Sequence, residues 1–175
     1  MTSNAREGGR ILGSLRSADG KGIVRMEELY DTDINDLWSA LTDPERLARW
    51  IGEVEGDLRP GGEFRAHFFI SGWEGTGRME ACEPPQRLLV QTQEPGSHES
   101  VIEATLTSEG DQTTLVIEVQ GMPVDKIAFY GAGWQIHAEN LAAHIAGHER
   151  GDTEARWDDL VPPYQELAAN ISADR

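Results

Sequence analysis

The sequence predicts an α+β domain in which a curved antiparallel sheet wraps around one long C-terminal helix. Two observations lead to this class. Residues 52–121 form short runs separated by glycine and proline, which is typical of strands joined by tight turns. Residues 127–147 carry apolar side chains at helical spacing. The length of 175 residues fits one domain with one substantial core.

The composition is that of a globular protein, with 38% hydrophobic and 26% charged residues. The net charge of −16 would repel a phosphate backbone and an anionic membrane surface, so we expect neither nucleic acid nor a membrane as partner. No run approaches the roughly 20 apolar residues that span a bilayer. We see no apolar signal segment, and the single cysteine, Cys82, cannot form an internal disulfide. We therefore expect a cytoplasmic protein, either a monomer or a homodimer.

The first elements are a strand and two short helices. Residues 1–21 are polar and glycine-rich and are interpreted as a flexible arm or an edge strand. Residues 23–30 are predicted to form a strand. Asp33, with its polar neighbours, can cap a first helix. Asp43 can cap a second helix, because Pro44 suits a first helical turn.

Five further strands are expected between the helices and residue 121. Alternation of side chains is clearest in the last run. Connections this short join antiparallel neighbours, since a parallel crossover needs about a dozen residues or more. The sequence thus predicts a meander of strands at 63–70, 73–83, 87–93, 98–107 and 113–120.

The long helix is predicted over residues 127–147. Ile127, Trp134, Ala138, Leu141 and Ile145 would share one face, and the glycine at 147 is a plausible stop. Residues 148–175 are interpreted as an extension of short helices docked on the domain and interrupted at two consecutive prolines, 162 and 163.

A cavity follows from this order of elements. Burial of apolar surface draws the sheet and the long helix together. A strongly bent sheet cannot follow a straight helix along its whole length, so an apolar gap is expected between them. The two short helices would close one end of that gap.

Several stretches in the expected order resemble motifs of the START-like (SRPBCC) superfamily. They look most like the branch related to the C-terminal domain of the heat-shock protein 90 ATPase activator. The resemblance spans residues 22–147, and the segments that carry it are 38–50 (WSALTDPERLARW), 57–65, 80–88, 133–134 and 140–144.

This resemblance implies a helix-grip fold around a hydrophobic cavity. Members of the superfamily include lipid carriers, hormone receptors, polyketide cyclases and chaperone activators, so the fold alone does not choose a function.

Aromatic side chains are the main candidates for the cavity wall, because they recognise flat or apolar ligands by stacking. Trp134 and Phe64 are the strongest of these candidates, whereas Trp38 and Trp50 could instead anchor the two short helices. The predicted cavity-lining residues are Trp38, Phe64, His67, Phe69, Trp73, Phe129, Trp134, His137 and Leu141.

Metal and cofactor chemistry is not predicted. His137, His144 and His148 are spaced by seven and four and would lie on one side of the long helix. Three imidazoles could ligate zinc, but no carboxylate or cysteine motif completes such a site. A catalytic role for Cys82 would need a histidine partner that the sequence does not locate.

Three functions remain open at this point. We favour non-catalytic binding of a small hydrophobic or aromatic molecule in the cavity. A chaperone partner, as for an ATPase activator, is the second hypothesis. The third is a cyclase or hydrolase using an inward ionisable pair, such as His67 with Glu74, or His137 with a strand carboxylate.

Overall fold

The computed structural model describes residues 11–69, 74–93 and 99–173. Within these ranges eight strands form one sheet, and a 3₁₀ turn at Val124–Lys126 leads into the long helix. The strands are β1 (Gly13–Ala18), β2 (Lys21–Tyr30), β3 (Gly52–Gly56), β4 (Glu63–Phe68), β5 (Glu74–Glu83), β6 (Arg87–Gln93), β7 (Glu99–Glu109) and β8 (Gln112–Pro123). The helices are α1 (Ile34–Thr42), α2 (Pro44–Trp50), α3 (Ile127–Ile145) and α4 (Thr153–Ala173).

The sheet has the strand order β1-β2-β8-β7-β6-β5-β4-β3, and every neighbouring pair is antiparallel. Strands β3 to β8 are therefore a meander, as their short connections predict. Strand β2 joins the far end of that meander by pairing with β8, with Met26 opposite Ile117. The predicted α+β helix-grip class, with a curved sheet around a long helix, is confirmed.

One strand differs from the sequence prediction, and another agrees with one of its alternatives. β3 was not predicted, because its sequence has one large apolar residue, Val54, and so shows no alternation. β1 occupies the sheet edge, which is one of the two alternatives stated for residues 1–21. The parts of the predictions that fall on residues 1–10, 70–73 and 94–98 lie outside the described residues.

Helices α1 and α2 follow strand β2 and form a helical elbow. Asp33 and Asp43 cap them, each accepting a backbone N–H of the first turn, at 2.8 and 3.0 Å. Pro44 occupies the first position of α2, as predicted. The Trp50 indole N–H donates to the Ala40 carbonyl at 3.0 Å and so ties the two helices together.

Helix α3 lies across the concave face of the sheet and packs most closely on β2, with β1 and β8 beside it. Of the predicted apolar face, Ile127, Trp134, Ala138 and Leu141 are buried. Side chains on its other faces, such as Gln135 and Ile136, are buried as well, because α4 covers the side that turns away from the sheet. A helix covered by two layers is buried on most of its faces, which explains why one apolar stripe described it incompletely.

Residues 153–173 of the C-terminal extension form one continuous helix, so the predicted interruption at the two prolines is wrong. Pro162 and Pro163 lie inside α4. A proline inside a helix costs about 3 kcal/mol. Leu160 and Tyr164, which flank the two prolines, are fully buried, and a Cβ on Gly131 of α3 would lie 2.7 Å from the Tyr164 ring. Packing this close favours the helical path in spite of the prolines.

A polar clasp holds α3, α4 and the chain entering β1 together. The Tyr164 hydroxyl donates to Gln135 Oε1 at 2.7 Å and accepts the Gly13 N–H at 3.1 Å. The Leu12 N–H donates to the same Gln135 oxygen at 2.9 Å. Burial raises the pKa of the Tyr164 phenol, so the hydroxyl keeps its proton and continues to donate.

None of the helices within the described residues is long and apolar enough to cross a lipid bilayer.

Removal of the clasp hydroxyl tests its contribution to stability. We expect Tyr164→Phe to lower the free energy of unfolding by about 1–2 kcal/mol, because the Gly13 N–H loses its acceptor while Gln135 keeps one donor. Urea unfolding followed by circular dichroism measures this difference. An unchanged midpoint and slope would contradict a stabilising role for the clasp.

Candidate functional site

An apolar cavity lies between the meander and the three helices α1, α2 and α3. Its volume is about 110 Å³. The walls are mainly apolar; their polar groups are the Thr92 hydroxyl and the indole N–H groups of Trp50 and Trp134. The lining residues are Leu41, Leu47, Trp50, Ile51, Val54, Leu58, Phe64, Ala66, Phe68, Met79, Leu88, Val90, Thr92, Ile102, Ala104, Ile117 and Trp134.

The position of the cavity follows from how α3 meets the sheet. The helix packs closely on β2, β1 and β8. The cavity wall is formed mainly by β3 to β7, which curve away towards the elbow, with Ile117 of β8 at its border. Space therefore remains on the β4 to β7 side, and Trp134 is the one α3 side chain that reaches it.

Strand alternation decides which side chains form the wall. In β4, Phe64, Ala66 and Phe68 line the cavity, so Arg65 and His67 between them point to the convex face. In β6 the alternate residues Leu88, Val90 and Thr92 do the same. Two parallel rows of apolar side chains thus face the helix.

Gly77 makes room for one aromatic wall. It lies opposite Phe64 in the β4–β5 register, and a Cβ at this position would collide with the Phe64 ring. The ring therefore lies against the β5 backbone at a point where any larger residue would push it away.

Thr92 adds the one hydroxyl group of the wall. Its hydroxyl lies 2.7 Å from the hydroxyl of Ser100 on β7 and 3.4 Å from the Ser100 carbonyl oxygen. Because these groups satisfy one another, the cavity offers a guest mainly dispersion contacts and burial.

His137 lies one layer behind the cavity wall. Its ring contacts Trp134 and Phe68 edge-to-face, at centroid distances of 5.2 and 5.4 Å, and both of those rings line the cavity. Burial lowers the pKa of His137 to about 3, so the imidazole is neutral at physiological pH. Among the described residues no group hydrogen-bonds its Nδ1, and the Nδ2 of buried Asn140 is likewise without a partner there.

The nine sequence candidates are distributed over several environments. Phe64 and Trp134 line the cavity, Leu141 is fully buried in the core, and Trp38 packs against the core from a partly buried position. Trp73 lies outside the described residues.

The remaining candidates face other surfaces. Phe129 is 43% exposed and stacks on Trp157 of α4. Phe69 lies under the guanidinium of Arg150, and His67 borders a shallow depression on the convex face together with Glu74.

The charged strand residues form cross-strand pairs on the convex face. Arg87 and Glu103 make an ion pair at 2.6 Å, and Arg65 reaches Glu55 at 3.5 Å. Cys82 packs against the core, and burial raises the pKa of its thiol, which therefore remains protonated.

The three helix histidines do not converge. His137 is buried, His144 accepts a hydrogen bond from Arg46 Nε at 3.0 Å, and His148 is exposed. Within the described residues no group of three histidine, cysteine or acidic side chains could hold a metal ion.

Several wall residues were not predicted from the sequence, among them Met79, Thr92 and Ala104. Small and aliphatic residues give no composition signal that separates a cavity wall from packed core. The strand register decides which side chains face the cavity, and a bulge between Met79 and Ala81 shifts that register within β5.

Comparisons with known proteins agree with the architecture. The sequence profile of the family described as Activator of Hsp90 ATPase homolog 1-like protein matches residues 31–146. The chain is similar to the crystal structure of CalU16 from Micromonospora echinospora, with 28% identity and a TM-score of 0.74, covering 89% of this chain and 95% of that one. It is also similar to DynU16, a protein in the dynemicin biosynthetic locus, with 27% identity and a TM-score of 0.67, covering 76% of this chain and 49% of that one.

A third structure shows the fold alone. EF2215 from Enterococcus faecalis, a conserved protein of unknown function, has 19% identity and a TM-score of 0.73, covering 98% of this chain and 99% of that one. No curated protein matches the chain significantly. The family profile covers most of the chain, from α1 to the end of α3. The chain therefore belongs to the Activator of Hsp90 ATPase homolog 1-like protein family.

Proposed function

We propose that the protein binds a small hydrophobic molecule, about the size of one aromatic ring, in the cavity beside Trp134, without transforming it. The observation that carries this proposal is the space of about 110 Å³ lined mainly by aliphatic and aromatic side chains. An apolar cavity of about 150 Å³ in another protein binds benzene, so a space of this order can hold a single ring.

The volume limits the ligand in the conformation described. Pockets for drug-sized molecules measure roughly 300–1,000 Å³. A lipid or a multi-ring molecule would therefore need side chains of the wall to turn. Phe64 and Phe68 are suited to this because both line the cavity and both are partly exposed.

The expected affinity is modest. Burying about 150 Å² of apolar ligand surface contributes roughly 4 kcal/mol. That free energy corresponds to a Kd on the order of 1 mM for the smallest ligands. A ligand that also replaced the Phe68 ring would bury more surface and bind more tightly.

The ionisable residues support binding in preference to catalysis. His67 and Glu74 are opposite each other on β4 and β5, but they border the depression on the convex face. Burial lowers the pKa of His137, and no carboxylate contributes to that shift. A base with a pKa of about 3 is poorly matched to proton transfer near pH 7.

The similar structures favour the same kind of ligand. DynU16, one of the neighbours above 25% identity, is a protein in a biosynthetic locus. This context favours a biosynthetic small molecule as the guest. A chaperone partner has less support, because Leu29 and Phe129 are the only large apolar side chains in the described part of the chain that are prominently exposed.

Filling the cavity tests the binding proposal. Fluorobenzene observed by ¹⁹F NMR should bind saturably to the wild-type protein. The change Ala104→Leu places a larger side chain in the wall and should weaken binding at least about tenfold, a loss of roughly 1.4 kcal/mol.

The matched control is Ala142→Leu, which adds the same atoms on the exposed side of α3. Binding should be unchanged in this variant. Equal affinity in wild type and Ala104→Leu, or no saturable binding to the wild type, would rule out the cavity as the site.

The buried imidazole predicts a specific pH dependence. The folded-state pKa of His137 is about 3 and its ordinary value is 6.5. Between these values the unfolded chain binds a proton that the folded protein does not, so stability falls as the pH is lowered below 6.5. From pH 7.5 to pH 5 the wild type should lose about 2 kcal/mol that His137→Phe does not lose.

Urea unfolding of both proteins at the two pH values measures this difference. His137→Phe keeps the ring contacts with Trp134 and Phe68 and removes the unpaired nitrogen, so it should not destabilise the protein at pH 7.5. Parallel pH profiles for the two proteins would mean that His137 is not buried in neutral form.

A further inference from the structure

Arg49 and Arg150 differ from the other arginines of the described residues in forming no ion pair. Acidic side chains outnumber basic ones by 31 to 15, and each of the other arginines in residues 11–69, 74–93 and 99–173 lies within 4 Å of a carboxylate. Arg49 and Arg150 make no such ion pair within those ranges. An unpaired cation is unexpected where carboxylates are in such excess.

Both arginines line the same cleft. It lies between α2 and the segment that joins α3 to α4, and its volume is about 920 Å³. Arg46, His144 and His148 contribute to its walls as well. The cleft shares no lining residue with the apolar cavity, so it is a separate site.

Arg150 is held in position by an aromatic ring. Its guanidinium carbon lies 4.1 Å from the centroid of the Phe69 ring. The Phe69 N–H donates to the Ile51 carbonyl at 3.0 Å, which fixes the backbone beneath the ring. Stacking covers one face of the guanidinium and leaves the N–H groups at its edge available for an acceptor.

A second set of donors is fixed on the opposite wall. Arg46 donates to Asp36 at 2.9 Å and through Nε to His144 Nε2 at 3.0 Å. Because a guanidinium can only donate, His144 Nε2 accepts and its proton resides on Nδ1. Burial, followed by the charges of Arg46 and Arg49, lowers the pKa of His144, so it is a neutral donor near pH 7.

Two acidic residues also line the cleft. Glu45 and Glu149 are exposed, and within the described residues neither forms an ion pair with Arg49 or Arg150. Two guanidiniums carry a charge of +2, and their planar N–H edges match the oxygens of a tetrahedral oxyanion.

We propose that this cleft is an anion-binding site that takes a phosphate group, either free or on a small phosphorylated molecule, between Arg49 and Arg150. The cleft is wider than one phosphate, which leaves room for the organic part of an ester. The proposal is independent of the guest in the apolar cavity.

The test is a ¹H–¹⁵N NMR titration of the full chain with inorganic phosphate at constant ionic strength. Saturable shifts are expected in residues 45–51 and 144–153. Arg49→Gln and Arg150→Gln should each weaken binding about tenfold, because each removes one charge-assisted contact. The matched control, Arg65→Gln, removes the same charge from the convex face and should leave the Kd unchanged.

Two further ligands separate the sources of the phosphate group. Phenyl phosphate binding more tightly than inorganic phosphate would assign the site to an ester, and equal affinity would assign it to free phosphate. Acetate is a monoanion and is planar. If it bound as tightly as phosphate, the proposal that the cleft takes a phosphate group would be wrong.

Shifts that do not saturate, or equal weakening by all three glutamine variants, would overturn the site itself. Arg150→Lys keeps the charge and tests the fork geometry, so it should bind phosphate more weakly than wild type and more tightly than Arg150→Gln. Repeating the titration with Ala104→Leu should give the wild-type Kd, which separates failure here from failure of the cavity proposal.

Discussion

The burial of α3 between the concave sheet and α4 is the interaction on which the rest of the structure depends. The helix contributes fully buried side chains to both layers, Leu141 and Ala132 among them, and its Gln135 joins the clasp to Tyr164. Burial of this kind stabilises by about 25 cal/mol per Å² of apolar surface. Without α4 the outer side of α3 would be exposed, so the two helices stabilise the sheet as one unit.

The cavity is a consequence of the same packing. Strands β1 and β2 lie close to α3, whereas strands β3 to β7 of the meander curve towards the elbow, and one rigid helix cannot touch both ends of the sheet. Trp134 and Phe68 fill part of the gap with rings 6.2 Å apart. The small side chains of Ala66 and Ala104 leave the remainder open. Larger residues at these positions would pack the interior more fully, so the open space depends on a few small residues.

Local rules predicted much of this architecture. Caps and a proline at a helix start are short-range signals, and Asp43 with Pro44 indicated the start of α2 correctly. The path of α4 through its prolines could not be predicted in this way, since burial of Leu160 and Tyr164 against a distant helix decides it. For the candidate site, Phe64 and Trp134 lie in the wall, whereas Phe129 turns outward to Trp157. Sequence spacing places a residue on an element, but tertiary packing decides what the side chain meets.

Xenon binding in a crystal tests the central claim most directly, because xenon occupies apolar space without needing hydrogen bonds. Crystals pressurised with xenon should show one atom enclosed by Met79, Ala104 and Trp134, with the surrounding side chains unmoved. Absence of xenon from this position, while weaker sites elsewhere are occupied, would mean that side chains fill the interior and that α3 and the sheet leave no space for a guest.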